Sequence, residues 1–202
     1  MGLAVLVVLL ALGTGALLGG RVSGLTRLPV RHLRLLAWAF GLYILAMPVG
    51  DPTVRQVLLL ASTALAVRFA AAHRHIAGIP LAAAGLVLNT LVTVVNGGMP
   101  VSEQAAARAG AERTAGAGHI AAGADTRWDV LGEWIPVPLP VHPEVVGPGD
   151  VLVAAGVGLV VVYGMLLSPG TPPLTGLRHR LHDRLRAVAA RARPARGVVP
   201  GR

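Results

Sequence analysis

Five stretches of the chain are almost free of charged residues and are long enough to suggest membrane helices. The hydrocarbon core of a bilayer is about 30 Å thick, which an α-helix of roughly 20 residues crosses. Arg34 and Arg68 lie near the ends of two stretches, where long side chains can reach the headgroups. The pattern predicts an all-α polytopic membrane protein with five transmembrane helices, at about 2–20, 35–50, 54–72, 76–95 and 151–167.

The arginines separate from the acids along these helices. If the amino terminus lies outside, the inner segments 21–34, 68–75 and 169–202 hold 14 of the 18 arginines and one acid. The outer segments hold four arginines and eight acids. Membrane proteins keep excess Arg and Lys in the cytoplasm. The distribution therefore predicts a multi-pass protein of the bacterial cytoplasmic (inner) membrane, with its carboxyl terminus in the cytoplasm.

Composition excludes several classes of protein. Only 13% of the residues are charged and 54% are hydrophobic, whereas soluble domains carry about 25% charged residues. The absence of cysteine excludes a disulfide scaffold and a thiolate enzyme. The net charge of +9 follows the membrane faces, without a recognition motif or interleaved aromatic residues, so no nucleic-acid partner is expected.

No metal or cofactor is predicted either. The histidine pairs His73/His75 and His179/His182 lie among arginines, which would repel a cation. The chain has no glycine-rich phosphate loop after a strand, no G-x-S-x-G elbow and no H-E-x-x-H motif.

The outer segment 97–149 is predicted to have three parts. Ser102 is suited to cap a short helix that begins with Glu103, and the glycine-rich stretch up to 124 predicts a loosely ordered excursion. Residues 127–135 carry two tryptophans at helical spacing, which favours a turn or two of helix lying on the outer leaflet. The prolines between 136 and 148 predict an extended, polyproline-like strap.

The carboxyl-terminal segment 169–202 has leucines spaced by four on one face and arginines on the rest. This pattern is typical of a basic amphipathic helix on an anionic membrane surface. The expected partners are therefore the lipid bilayer, anionic headgroups at this tail and a membrane-protein partner.

A polar face runs along the fourth helix. Asn89, Thr93 and Asn96 are spaced by four and three residues, so they share one helical face. Interhelical hydrogen bonding is one interpretation, and one wall of a water-filled cavity, as in a small transporter, is the other.

Asp150 stands at the outer end of the fifth helix. It is interpreted as a helix N-cap, which accepts hydrogen bonds from free backbone N–H groups. The alternative is catalytic: Asp150 paired with Asp129 or Glu133 as the acid and base of a membrane-embedded aspartyl hydrolase at the outer face.

Three stretches carry a resemblance to known proteins: residues 85–102, residues 131–140 and residues 149–152. Together they resemble a family of small bacterial membrane proteins of unknown function. The likeness covers most of 1–168 and implies the fold and the location without implying an activity.

A second resemblance is to lipoprotein signal peptidase, a membrane aspartyl protease. Asp150 resembles the second catalytic Asp of that family, which opens the last helix at the outer face. The first Asp of the family has no match, since Asn96-Gly97-Gly98 stands in its place. No complete catalytic set is present. The sequence thus favours a non-enzymatic membrane component or assembly partner, with the hydrolase and the transporter as alternatives.

Overall fold

Helices form where the hydropathy pattern predicts them. The structure is a computed structural model that describes residues 2–111, 118–140 and 142–168. Five of its helices are apolar: α1 Gly2–Leu17, α2 Leu33–Ala46, α3 Pro52–Ala72, α4 Ile79–Asn96 and, after the short helix α5 Glu103–Ala109, α6 Pro148–Leu166. Among the described residues, α3, α4 and α6 are long and apolar enough to cross a membrane, while α1 and α2 are apolar but shorter.

The helix ends follow local chemistry. Asp51 caps α3, because its carboxylate accepts a hydrogen bond from the Val54 N–H at 2.9 Å, and Pro52 occupies the first turn. Gly78 and Gly97, with φ of +96° and +74°, flank α4. The left-handed region strongly favours glycine, so α4 begins at Ile79 and not at the predicted residue 76.

The apolar helices pack as an arc. Helix α1 packs on α6, α6 on α4, α4 on α3 and α3 on α2, so that α1 and α2 stand at opposite ends of the arc. Helices α4 and α6 approach closely, because Gly85 lies against the backbone of Gly149. Small residues allow this approach, which is the usual basis of helix association in membranes.

Buried polar side chains connect neighbouring helices. The Ser62 hydroxyl donates to the Ala39 carbonyl at 2.7 Å and joins α3 to α2. The hydroxyls of Thr63 and Thr90 share a hydrogen bond of 2.6 Å between α3 and α4. His73 is 2% exposed; Phe69 O lies 2.8 Å from its Nδ1, and its Nε2 accepts from the Arg31 N–H at 2.8 Å. Both ring nitrogens of His73 are therefore used inside the fold.

We call the described residues between α4 and α6 the lid. We call the opposite end of the helix arc, which includes residues 18–32, 73–78 and 167–168, the basic end. All seven acids of the described residues lie at the lid end. Six arginines lie at the basic end: Arg21, Arg27, Arg31, Arg34, Arg68 and Arg74.

The lid contains two small sheets. Strand β1, Met99–Val101, pairs in parallel with β2, His119–Ala121. Strand β3, Ile135–Val137, pairs antiparallel with β4, Glu144–Val146. Helix α5 begins as predicted, since the Ser102 hydroxyl accepts from the Ala105 N–H at 3.3 Å. The prediction of a uniformly loose excursion up to residue 124 is wrong, because β2 lies within this segment and pairs with β1.

Two other predictions for the lid are corrected. Of the turn or two of helix predicted within 127–135, the structure has a single 3-10 turn, Asp129–Leu131, preceded by Trp128 at φ +56°. The chain then extends because Glu133 exchanges backbone hydrogen bonds with β1: its N–H donates to Pro100 O and its carbonyl accepts from the Ser102 N–H. Of the prolines that follow, Pro136 lies in β3 and is paired with Val145 of β4, so the predicted strap begins as one strand of a hairpin.

The predicted amphipathic helix in 169–202 falls outside the described residues and stays a prediction.

Candidate functional site

A cavity of about 860 Å³ lies under the lid, between the lid and the ends of α1, α2 and α6. Its helix side is mostly apolar and includes Leu3, Val153, Ala154 and Val157, with the Tyr43 side chain of α2. Helices α1 and α2 stand at the two ends of the arc, and both line the cavity. The cavity therefore lies between the two ends of the arc. The polar side chains on its wall are Glu103, His119, Glu133, His142, Glu144 and Asp150.

Carboxylates dominate the charge of this wall. Glu133 is largely shielded from solvent, with 15% of its side chain exposed, and it lies 3.4 Å from His119 Nε2. No arginine of the described chain lines the cavity. The cavity therefore presents negative charge above an apolar surface.

Asp150 connects α6 to α4. Its Oδ1 accepts a hydrogen bond of 2.6 Å from the Asn89 amide, and its Oδ2 accepts one of 2.8 Å from the Gly147 N–H. The prediction that Asp150 is the N-cap is wrong, because α6 begins at Pro148 and Asp150 is the third residue of the helix. Its carboxylate folds back onto the residue before the helix, as the acid of a capping box does.

The structure brings Glu133 and Asp150 to the same cavity and leaves Asp129 outside it. Asp129 is exposed on the 3-10 turn and does not line the wall. Of the two predicted carboxylate pairs, only Glu133 with Asp150 therefore shares a cavity. Both oxygens of Asp150 already accept hydrogen bonds within the protein, so this side chain stabilises the fold.

The polar face of α4 holds other elements in place. The Asn96 amide donates to Arg127 O at 2.9 Å and its Oδ1 accepts from the Arg127 N–H at 2.8 Å, which fastens the lid to α4. The Thr93 hydroxyl faces the Met99 sulfur at 3.9 Å. Neither of these side chains, nor Asn89, lines the cavity.

The histidines show no metal geometry in the described ranges, where no three His, Asp or Glu side chains are grouped as metal ligands. The pair His179/His182 falls on residues that the structure does not describe.

Sequence reasoning missed Glu144, Tyr43 and His119. Glu144 accepts hydrogen bonds from the backbone N–H groups of Gly2, at 3.1 Å, and Leu3, and so joins the lid to the first turn of α1. These partners are more than 140 positions apart, and no local pattern signals such a contact. One sequence signal could have identified Tyr43: its polar group lies near the lid end of an apolar helix.

The Glu144 contact predicts a pH dependence. Burial alone would raise the pKa of Glu144, but the hydrogen bonds and positive charge at the amino end of α1 outweigh burial and lower it. A carboxylate with a lowered pKa stabilises the fold above its unfolded value, about 4.3, and this stabilisation is lost as the pH falls through the lower folded value. We expect Glu144→Gln to lower the melting temperature at neutral pH, and we expect its difference from the wild type to shrink as the pH falls below about 4.

Thermal unfolding across this pH range checks that expectation. Asp125→Asn, which removes an exposed acid of the lid outside the cavity, is the matched control and should keep the wild-type pH dependence. A destabilisation by Glu144→Gln that persists unchanged at acid pH would contradict the assignment.

Comparisons with known proteins test the two resemblances. The comparison with curated proteins found no match, and neither did the comparison with solved structures. The likeness to lipoprotein signal peptidase is not supported. In the fold, Asn96, which replaces the first catalytic Asp of that family, fastens the lid.

A family model does match, over residues 28–162. The matched region covers α2, α3, α4, the lid and most of α6, which is well over half of the chain. The family is described as a family of unknown function, DUF5317, and the resemblance predicted from residues 85–102, 131–140 and 149–152 is thereby confirmed. The chain belongs to the DUF5317 family.

Proposed function

We propose that all five apolar helices cross the bacterial cytoplasmic membrane, with the lid outside and the basic end in the cytoplasm. The segregation of arginines from acids between the two ends supports this topology. Helix α1 has 16 residues and α2 has 14, so they span about 24 Å and 21 Å. Short helices are accommodated by local thinning of the bilayer and by the polar residues that flank them.

Cysteine labelling tests this topology without background, because the chain has no cysteine. Ala124→Cys places a thiol on an exposed site of the lid, and Ala77→Cys places one on an exposed site of the basic end. We expect a membrane-impermeant maleimide to label Ala124→Cys in intact spheroplasts and Ala77→Cys only after permeabilisation. The reverse pattern would contradict the proposed orientation.

We infer that the protein is a non-enzymatic membrane component that binds an amphiphilic cation in the cavity under the lid. The observation that carries this proposal is the 860 Å³ cavity, with Glu133 and Asp150 on a wall above apolar side chains of α1 and α6. Ligand pockets typically measure about 300–1,000 Å³ and combine an apolar lining with a few polar groups. A cationic head beside the carboxylates and an apolar body against the helices match both halves of this lining.

A long-chain primary amine is a suitable probe. We expect dodecylamine to raise the melting temperature of the protein in a non-ionic detergent more than dodecanol does, because only the amine pairs with the carboxylates. Glu133→Gln should weaken dodecylamine binding by about tenfold, the result of losing one charge-assisted contact.

Asp125→Asn is the control, since it removes the same charge from the lid outside the cavity. Equal binding of dodecanol and dodecylamine, or equal weakening by Asp125→Asn and Glu133→Gln, would contradict a cation site at Glu133.

The second candidate is hydrolysis by an acid–base pair of Glu133 and Asp150, which is favoured by their shared cavity. Acid–base catalysis needs a carboxyl group that is free to exchange a proton with the substrate. Because Asn89 and Gly147 occupy both oxygens of Asp150, the geometry favours binding. If the protein cleaves a peptide or ester probe and Glu133→Gln abolishes the cleavage, hydrolysis becomes the favoured function and cation binding the second candidate.

Contacts with other proteins are a separate proposal. Trp128, Val130 and Trp134 form an apolar patch on the lid, with 53%, 68% and 48% of their surfaces exposed. Indole rings favour the membrane–water interface, so we place this patch at the outer leaflet. The predicted membrane-protein partner and the transport alternative stay predictions.

A further inference from the structure

A second groove, of about 360 Å³, lies at the basic end, between the first turns of α2 and the last turns of α3. Its walls are His32, Arg34, Leu35, Trp38 and Arg68. The two arginines come from different helices, so packing of α2 on α3 brings them to one groove.

Among the described residues, the arginines of this groove have no counterion. In the part of the chain that the structure describes, Arg34 and Arg68 form no ion pair, and every described acid lies at the lid end. Both side chains are exposed on the surface of an apolar helix pair. A cation at the border of the hydrocarbon is unfavourable unless it reaches water or an anion, so an anionic headgroup at this position would stabilise both arginines.

The other walls suit an amphiphile. Trp38 follows Arg34 by one helical turn and is 68% exposed, and indole rings favour the level of the lipid headgroups. Leu35 adds an apolar contact beside it. A phosphate bound to the arginines would therefore have its attached apolar part beside Leu35 and Trp38.

His32, which also lines the groove, has an uncommon backbone conformation. Its backbone has φ +57° and ψ +33°, in the left-handed region, directly before the first turn of α2. Non-glycine residues rarely adopt this conformation, and it recurs at functional sites, where the surrounding structure maintains the strain. In this conformation the His32 side chain lines the groove together with the two arginines.

We propose that this groove binds the phosphate headgroup of an anionic phospholipid, with Arg34 and Arg68 donating hydrogen bonds to the phosphate. Guanidinium groups match phosphate through paired N–H donors, which makes arginine well suited to such a site. The leaflet follows from the proposed topology and is the cytoplasmic one. Binding itself, measured in detergent, does not depend on that orientation, so failure here is distinguishable from failure of the cysteine labelling.

The test measures phosphatidylglycerol binding to the full chain in non-ionic detergent, through the lipid-dependent rise in melting temperature. The groove variant is Arg34→Gln with Arg68→Gln. The control variant, Arg27→Gln with Arg74→Gln, removes the same charge from exposed arginines of the basic end outside the groove. We expect at least about a tenfold loss of apparent affinity in the groove variant and no comparable loss in the control.

Three results would overturn the proposal. Equal weakening in both variants would show diffuse charge attraction. Competition by millimolar inorganic phosphate would show a site for free phosphate. Equal, arginine-dependent binding of phosphatidylcholine would show that the site does not select anionic lipid.

A second measurement does not require the arginine variants to fold. With Trp128→Phe and Trp134→Phe, Trp38 is the remaining tryptophan of the chain. Brominated phosphatidylglycerol should quench its fluorescence more strongly than brominated phosphatidylcholine at the same lipid content. Equal quenching by the two lipids counts against a selective site.

Discussion

Gly85→Ala is expected to lower the free energy of unfolding by about 3 kcal/mol, a large effect for one methyl group. The added carbon would lie 2.3 Å from the Gly149 carbonyl oxygen and 2.7 Å from the Val153 nitrogen. Both neighbours are backbone atoms, so no side chain can rotate away, and α4 must separate from α6. Separation also stretches the hydrogen bond between Asn89 and Asp150, which lies one turn further along α4.

Thermal unfolding in detergent, followed by tryptophan fluorescence, measures this effect. Gly41→Ala is the matched control, because Gly41 also lies inside an apolar helix but has nothing within 4 Å of an added carbon. We expect the control to keep or slightly raise the melting temperature, since alanine restricts the unfolded chain. A Gly85→Ala protein as stable as the control would refute the close α4–α6 packing.

Asp150→Ala is expected to destabilise the fold by about 3 kcal/mol, through the loss of two hydrogen bonds to a charged acceptor. The Asn89 amide and the Gly147 N–H both lose their partner. The other end of the Asn89 amide, Oδ1, is already buried without a hydrogen-bond partner in the described structure. Removal of the Asp150 carboxylate thus leaves the Asn89 amide without this hydrogen-bond partner between two apolar helices, and a buried polar group without a partner is unfavourable.

A double-mutant cycle isolates the contact. Asn89→Leu combined with Asp150→Ala should lose about 1–2 kcal/mol less than the sum of the two single changes, because the contact can be lost only once. Asp125→Ala, an exposed acid of the lid, is expected to leave stability unchanged. Strict additivity of the two changes would contradict direct coupling between α4 and α6.

The apolar helices were predictable because each depends on local information. A helix satisfies its backbone hydrogen bonds within its own segment, so a charge-free run of sufficient length specifies it without knowledge of its neighbours. The Ser102 cap was predictable for the same reason, since the hydroxyl acts on a residue three positions away. The end of α1 was placed too late: the helix stops at Leu17, and Gly19 adopts φ +87°.

The lid was less predictable because its backbone partners are distant in sequence. The pairing of β1 with β2 crosses some 20 residues, and the β3–β4 hairpin places Pro136 opposite Val145. Periodicity indicates an amphipathic helix at 127–135, but backbone hydrogen bonds between Glu133 and β1 take precedence. Tertiary pairing thus outweighed a local pattern that spans fewer than three helical turns.

The sequence by itself determined where the apolar helices form and how charge divides between the two ends, because both properties follow from the order of residue types along the chain. It also singled out Glu133 and Asp150. Only the tertiary structure decided that these two share a cavity while Asp129 does not, that Glu144 joins the lid to α1, and that Arg34 and Arg68 share a groove. The physical reason is that such contacts depend on the packing of separate helices, and spacing along one helix carries no information about its neighbour.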